Sequence, residues 1–243
     1  MNQKMKINKA IIGPMVALLA VIVFVTGCNQ DLLQKNPVFI LHPGDLLFQD
    51  LDCGPFCDAI EKVTTGYKRA NLSHIGIVAD GDHGNVVVIE ALLTGVEVTP
   101  IDTFLDRSHD TNGRPKVLVG RLIPKHRCLI PFVLREALAL KGKPYDKLFG
   151  IDNDAYYCSE LVYHCFLKAN NGKPIFELQP MTFMDPKTGK TFPVWKEYFE
   201  QLKAPIPQGN LGINPGDISR SHILTIIHAY GAPSSRELEK RQK

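Results

Sequence analysis

The sequence lacks the common signatures of nucleotide and nucleic-acid binding. Neither a G-x-x-x-x-G-K-[ST] loop nor a G-x-G-x-x-G turn occurs among its 243 residues, so nothing predicts a phosphate-binding loop. The formal net charge is only +3, and the lysines and arginines are scattered rather than gathered in a stripe with aromatic residues. Cys53 and Cys57 form a C-x3-C pair, but no second Cys or His cluster completes a metal site. We therefore expect no nucleic-acid partner, no metal and no cofactor.

The N-terminus has the composition of an export signal. "MNQKMKINK" carries three lysines and no acid, and it is followed by a sixteen-residue uncharged run, "AIIGPMVALLAVIVFV". A run of this length is short for a transmembrane helix, which needs about 20 residues, but it suits the apolar part of a signal peptide. Residues 1–27 are therefore predicted to be a signal peptide, and the polar residues 28–38 a tether.

The end of that signal, "VTGC", resembles a bacterial lipobox. The resemblance implies cleavage before Cys28 and lipid attachment to its thiol and new amino group. The alternative is a plain secretory signal with an incidental cysteine. Two or more acyl chains would give stable anchoring in a membrane. Asn29, rather than Asp, follows the cysteine, which favours the periplasmic face of the outer membrane.

Residues 39–230 are predicted to form one α+β domain, with a charged flexible tail at 231–243. "GDLLFQDL", "SHIGIVAD", "NVVVIEALL", "GVEVTPI" and "KVLVGRL" are typical of strands, and "CGPFCDAIEKV", "IPFVLREALAL" and "CSELVYHCFLKA" of helices. We also expect a last helix at 219–230. This order favours a mainly antiparallel sheet with helices packed to one side.

His74 and Glu90 are predicted to meet across a hairpin. The loop "DGDHGN" is rich in turn formers and would pair residues 74–79 with 85–90, placing His74 close to opposite Glu90–Ala91. On this strand the isoleucines at 75 and 77 would face the core and His74 the other side, with a glycine beside it. A carboxylate in so apolar a strand needs a partner, and an imidazole is an obvious one. The alternatives are a structural histidine and a glutamate on a solvated face.

Cys158 is placed where a thiol can be activated. Asp152, Asn153 or Asp154 could cap the helix that follows, which would leave Cys158 near its first turn. The partial positive charge of a helix N-terminus stabilises a thiolate, which is the nucleophilic form of cysteine. The alternative is a buried core cysteine, a role that Cys165 on the same face fills better.

The other cysteines and polar residues leave choices open. Without Cys28 five cysteines remain, so in an oxidising compartment at least one thiol is free or intermolecular, while no disulfide at all is also compatible. Cys53 and Cys57 could form a disulfide or a pair of core thiols. The loop that carries Asp102, Asp106, His109 and Asp110 is interpreted as solvated surface.

The motifs "HPGDLLF", "SHIGIV", "VIEA", "GKPYD" and "YYCSELVY" stand in this order between about residues 42 and 225. Together they resemble the YiiX/YebB group of permuted papain-like amidases, related to the NlpC/P60 cysteine peptidases. The histidine strand precedes the cysteine helix, as a circular permutation of the papain-like fold would place it. The resemblance implies that Cys158 is the nucleophile, His74 the general base and Glu90 the residue that orients it. It also suggests that Tyr157 and Tyr145 line the substrate site.

From these features we expect a lipid-anchored thiol hydrolase of the cell envelope that cleaves an amide through an acyl-thioester. The amide could belong to a cell-wall peptide, a short peptide or an N-acyl amine. An alternative is a lipid acyltransferase or deacylase with the same Cys–His–Glu site. A second alternative is an envelope-binding lipoprotein without catalysis. The sequence does not predict an oligomeric state.

Overall fold

The computed structural model describes residues 39–235. The predicted signal peptide, the tether with Cys28 and the last residues of the predicted tail lie outside them. The strands are β1 (Leu46–Gln49), β2 (His74–Asp80), β3 (Val86–Leu92), β4 (Gly95–Pro100), β5 (Val117–Leu122), β6 (Gln179–Pro180), β7 (Leu211–Gly212) and β8 (Leu224–Ala229). The helices are α1 (Pro55–Val63), α2 (Ile101–Leu105), α3 (Ile130–Ala139), α4 (Cys158–Ala169), α5 (Pro193–Gln201) and α6 (Pro215–Ser219).

Six strands form one antiparallel sheet in the order β4-β3-β2-β1-β5-β8, and β6 and β7 form a small separate pair. The predicted α+β class with a mainly antiparallel sheet is confirmed. Within the described residues no helix is both long and apolar enough to cross a membrane.

The two faces of the sheet are buried in separate clusters. Ile75 and Ile77 lie in the larger cluster, which includes Leu161 and Phe166 of α4. Val78, on the other face of β2, belongs to a smaller cluster with Leu47, Val88, Phe104, Val117 and Val119. The prediction that the isoleucines face the main core is confirmed. Because α2 covers the opposite face, polar groups there are also withdrawn from water.

The predicted last helix at 219–230 is wrong. Residues Leu224–Ala229 form β8, an edge strand paired with β5, and α6 ends before it at Ser219. Burial alternates along β8 between half-buried and exposed residues, as expected for a strand with one covered face. β-Branched residues are frequent in "LTIIHA", and the open edge of β5 supplies the hydrogen-bonding partner that a short segment alone does not reveal.

The hairpin forms where it was expected, but the predicted register is shifted by one residue. Ile77 pairs with Ile89 and Asp80 with Val86. A short 3-10 turn at Asp82–Gly84, with His83 in the left-handed region, fixes this alignment. Continued along both strands, the register sets Gly76 opposite Glu90. His74 is then a diagonal neighbour of Glu90 on the same face of the sheet.

The described residues contain one disulfide, and their C-terminal segment is hydrogen-bonded to the domain. Cys53 and Cys57 form a disulfide at the start of α1, so the first of the two possibilities holds. Cys128, Cys158 and Cys165 are free thiols. Residues 231–235, assigned to the tail from sequence, are hydrogen-bonded to the domain: the N–H of Ser234 donates to Asp50 at 2.7 Å.

Candidate active site

Cys158 is the first residue of α4. Tyr157 precedes it in an extended conformation as the N-cap, and the backbone N–H of Tyr157 donates to Oε2 of the Glu160 carboxyl group at 3.2 Å. The cap predicted at residues 152–154 is therefore wrong. That segment instead folds around Asp146, which accepts hydrogen bonds from the N–H of Gly150 and the amide of Asn153. Cys158 thus lies at the N-terminal end of α4, where backbone N–H groups lack intrahelical partners.

His74 lies next to both Glu90 and Cys158, the other two residues predicted for the site. Its Nε2 lies 2.6 Å from Oε2 of Glu90. Hydrogen bonding to the Cys158 side chain is also one of the causes that raise the pKa of His74, which places the imidazole beside that thiol. Because Nε2 faces the carboxylate, Nδ1 is the ring nitrogen left for the sulfur. The three residues come from β2, β3 and α4, and all three are buried.

Glu90 is held as an anion although it is completely buried. Arg107 forms a bidentate pair with the Glu90 carboxylate: Nη1 donates to Oε2 and Nη2 donates to Oε1, each at 2.6 Å. Burial raises the pKa of the Glu90 carboxyl, but the hydrogen bonds from Arg107, His74 and Thr99 outweigh it and lower that pKa to about 2. At neutral pH the carboxylate is ionised and its position is fixed on two sides.

The environment of His74 favours the imidazolium. Burial lowers the pKa of His74, but the hydrogen bonds and charges of Cys158 and Glu90 outweigh it and raise that pKa to about 9. A histidine held as its imidazolium can stabilise the negative charge of a neighbouring cysteine nucleophile.

Cys158 opens onto a cavity of about 350 Å³. Its apolar wall includes Ile60, Phe149, Met181, Phe183, Trp195 and Ile213. Tyr145 and Tyr157, the two residues suggested to line the site, both border this cavity. The hydroxyl of Tyr157 accepts a hydrogen bond from the N–H of Ile213 at 3.1 Å, which fixes its ring. Burial and the neighbouring Cys158 raise the pKa of Tyr145 well above its ordinary value, so it keeps its hydroxyl proton.

Comparison with known proteins identifies the family. The family model described as permuted papain-like amidase enzyme, YaeF/YiiX, C92 family, matches residues 40–228. The chain belongs to the permuted papain-like amidase family. One solved structure, described as the metalloprotein YiiX from Escherichia coli O157:H7, aligns with a TM-score of 0.64 and 22% identity, covering 79% of this chain and 99% of that one. At this identity the likeness concerns the fold alone. A comparison with curated proteins gave no match.

The permuted papain-like amidase fold explains the order of the site residues. The histidine strand β2 comes before the cysteine helix α4, and α4 packs against the sheet beside β2 and β3. The predicted circularly permuted papain-like fold is confirmed, as is membership of the permuted papain-like amidase family. Among residues 39–235 no group of three or more His, Cys, Asp or Glu side chains is arranged to hold a metal ion. The described residues therefore do not fit a metal site.

Sequence reasoning missed Arg107. It lies in the loop interpreted as solvated surface, whereas its side chain is mostly buried against Glu90 and over the Phe104 ring. The surface interpretation holds for Asp102, Asp106 and His109, which are exposed, while Asp110 is partly buried and accepts hydrogen bonds from the N–H groups of Asn112, Arg114 and Ala232. One signal was available: a carboxylate in an apolar strand calls for a full positive charge as well as an imidazole.

Proposed function

We propose that the protein is a cysteine amidase in which Cys158 is the nucleophile, His74 the general acid–base and Glu90 the residue that orients the imidazole. The observation that supports this best is the position of His74, whose imidazole is hydrogen-bonded to Glu90 and interacts with the side chain of Cys158. This is the nucleophile, base and orienting group of a thiol hydrolase.

The proposed reaction starts from the Cys158 thiolate paired with protonated His74. The sulfur attacks the amide carbonyl, and the developing oxyanion is stabilised by the backbone N–H of Cys158 at the N-terminus of α4. When the tetrahedral intermediate collapses, the C–N bond breaks and His74 gives its proton to the leaving amine. Neutral His74 then takes a proton from water, the hydroxide attacks the thioester, and the carboxylic acid leaves as Cys158 is restored.

The walls of the cavity favour an apolar acyl group as the part of the substrate next to the sulfur. A volume of about 350 Å³ is in the range of small-molecule sites, and about half of the residues that line the cavity are aliphatic or aromatic. An N-acyl amine meets this requirement better than a charged cell-wall peptide. The same wall supports the second candidate, transfer of an acyl group from lipid, because the thioester is common to both and only the acceptor differs.

Product analysis by mass spectrometry tests this proposal. The purified protein is incubated separately with N-acyl amino acids of increasing chain length, with muropeptides and with phospholipid, and Cys158→Ser is the matched inactive variant. We expect release of free amine and fatty acid from the N-acyl amino acids and trapping of an acyl group on Cys158. Transfer of the acyl group to an added amine would establish acyltransferase activity instead. No turnover and no acylation of any substrate would leave a binding protein.

We also propose that the protein is anchored in the bacterial envelope through lipid on Cys28. The lipobox-like "VTGC" after an apolar run supports this, and Cys28 lies outside the described residues. Metabolic labelling with palmitate in a bacterial host should mark the wild type and not Cys28→Ala. Release of unlabelled mature protein into the periplasm would show a plain secretory signal.

A further inference from the structure

Arg107 forms a bidentate ion pair with Glu90, which strongly restricts the orientation of the carboxylate. Two parallel N–H···O bonds of 2.6 Å hold both oxygens, so the carboxylate can neither rotate nor turn away from His74. Oε2 accepts from both Arg107 and His74, so a single oxygen connects the guanidinium to the imidazole. The guanidinium carbon also lies 5.3 Å from the centre of the Phe104 ring, which holds the arginine in place.

Glu90 has a specific need for this cation. It is completely buried, and Glu97 stands directly across from it on β4. Like charges at such positions destabilise each other, and burial alone favours the protonated carboxyl. His74 cannot meet the need alone, because its own charge depends on Glu90. Arginine stays charged at every working pH and therefore keeps Glu90 ionised without regard to the state of His74.

We propose that Arg107 is a positioning residue for catalysis: it fixes and ionises Glu90, which in turn holds Nε2 of His74 and directs Nδ1 to Cys158. The functional unit is then a linear set of four side chains, Cys158–His74–Glu90–Arg107, rather than three. The inference rests on the proposed function, because Arg107 acts only through Glu90 and His74 and touches no substrate.

The molecule supplies a matched control. Arg121 grips the buried carboxylate of Asp45 in the same way, with Nε and Nη2 each donating at 2.7 Å. Its guanidinium is also placed over a phenylalanine ring, that of Phe39. Both arginine side chains are about one-fifth exposed, at 22% for Arg107 and 21% for Arg121. Replacing either one leaves a buried carboxylate without its cation, but only Arg107 is connected to His74.

The experiment compares Arg107→Ala, Arg107→Lys and Arg121→Ala as full-length proteins, each first checked for folding by circular dichroism. We expect kcat of Arg107→Ala to fall by about 10- to 100-fold, by analogy with removal of an outer hydrogen-bond partner of a metal-binding histidine, with KM nearly unchanged. The acid limb of the pH–rate profile should move to higher pH, because Glu90 is then protonated more readily. Arg107→Lys should recover part of the rate, since lysine keeps the positive charge but cannot donate two parallel hydrogen bonds to the carboxylate.

Chemical rescue separates positioning from mere stabilisation. Arg107 borders an open surface depression with Asp102, Asp106 and His109, so a small cation can reach the vacated position. Low, non-denaturing guanidinium should restore activity to Arg107→Ala and leave Arg121→Ala unchanged. If Arg107→Ala and Arg121→Ala show the same kcat and pH profile, the inference is overturned while the proposed function stands. If Cys158→Ser retains wild-type turnover, the proposed function itself fails.

Discussion

Replacement of Gly76 by alanine is expected both to destabilise the fold and to disturb the active site. Gly76 lies on β2 opposite Glu90. An added Cβ would overlap Cγ1 of Val88 and lie 3.4 Å from the Cβ of Glu90. Val88 is fully buried and stiff about its first side-chain torsion, so it cannot yield without moving β3. Overpacking of this kind costs about 1–3 kcal/mol.

The shift of β3 carries Glu90 with it. A hydrogen bond to a charged group contributes about 1.5–3 kcal/mol, and loss of roughly 1 kcal/mol of that stabilisation corresponds to about a five-fold change in rate. We therefore expect alkylation of Cys158 by iodoacetamide at neutral pH to slow by about that factor. Unfolding in urea measures the stability of the same variant.

Gly120→Ala is the control for Gly76→Ala. Its added Cβ would lie 2.8 Å from Cε2 of Phe48, in the same sheet but away from Glu90. It should lose stability as Gly76→Ala does, while Cys158 keeps its wild-type alkylation rate. The reasoning is refuted if Gly76→Ala loses stability but alkylates as fast as the wild type, because the position of Glu90 would then not matter.

Three further outcomes follow from the structure. Because the pKa of His74 is raised to about 9, kcat/KM should fall above about pH 9, where the imidazolium that protonates the leaving amine is lost; a pH–rate profile tests this. Burial raises the pKa of Glu160 from 4.5 to about 8. As the pH rises between these two values, the free energy of unfolding of the wild type should therefore fall relative to that of Glu160→Gln. The fall should be at most about 1.4 kcal/mol per pH unit, and urea unfolding measures it. The disulfide joins residues only four apart, so the double variant Cys53→Ser/Cys57→Ser should lose only about 2 kcal/mol and keep its Cys158 alkylation rate.

Each of these three outcomes can be contradicted. A basic limb near pH 7 would mean that His74 is not held as a cation. A constant stability difference between the wild type and Glu160→Gln across pH 4 to 9 would mean that Glu160 ionises normally. Loss of Cys158 reactivity in the double serine variant would give the disulfide a role in the site that we do not assign to it.

The sequence was sufficient for the parts of the site that depend on local pattern. Alternation along "SHIGIV" placed Ile75 and Ile77 in the core and His74 on the other face. A carboxylate among apolar residues marked Glu90, and the start of an amphipathic segment marked Cys158. These signals work because period and burial are properties of a few neighbouring residues.

Features that depend on distant parts of the chain were not predicted. Arg107 comes 17 residues after Glu90, and a polar loop gives no sign that one of its arginines turns inward. Strand β8 was mistaken for a helix because its partner β5 ends about a hundred residues earlier in the chain. The hairpin register depended on the backbone of the Asp82–Gly84 turn, where one residue of difference changes which side chains share a face.

The most direct test is the rate at which iodoacetamide modifies Cys158 at neutral pH, followed by mass spectrometry of the wild type and of His74→Ala. Cys165 is an internal reference, since it is free and fully buried on the same helix and burial raises the pKa of its thiol. We predict fast, selective modification of Cys158 that is abolished in His74→Ala. A Cys158 that reacts no faster than free cysteine, and equally in both proteins, would contradict an activated thiol at this site.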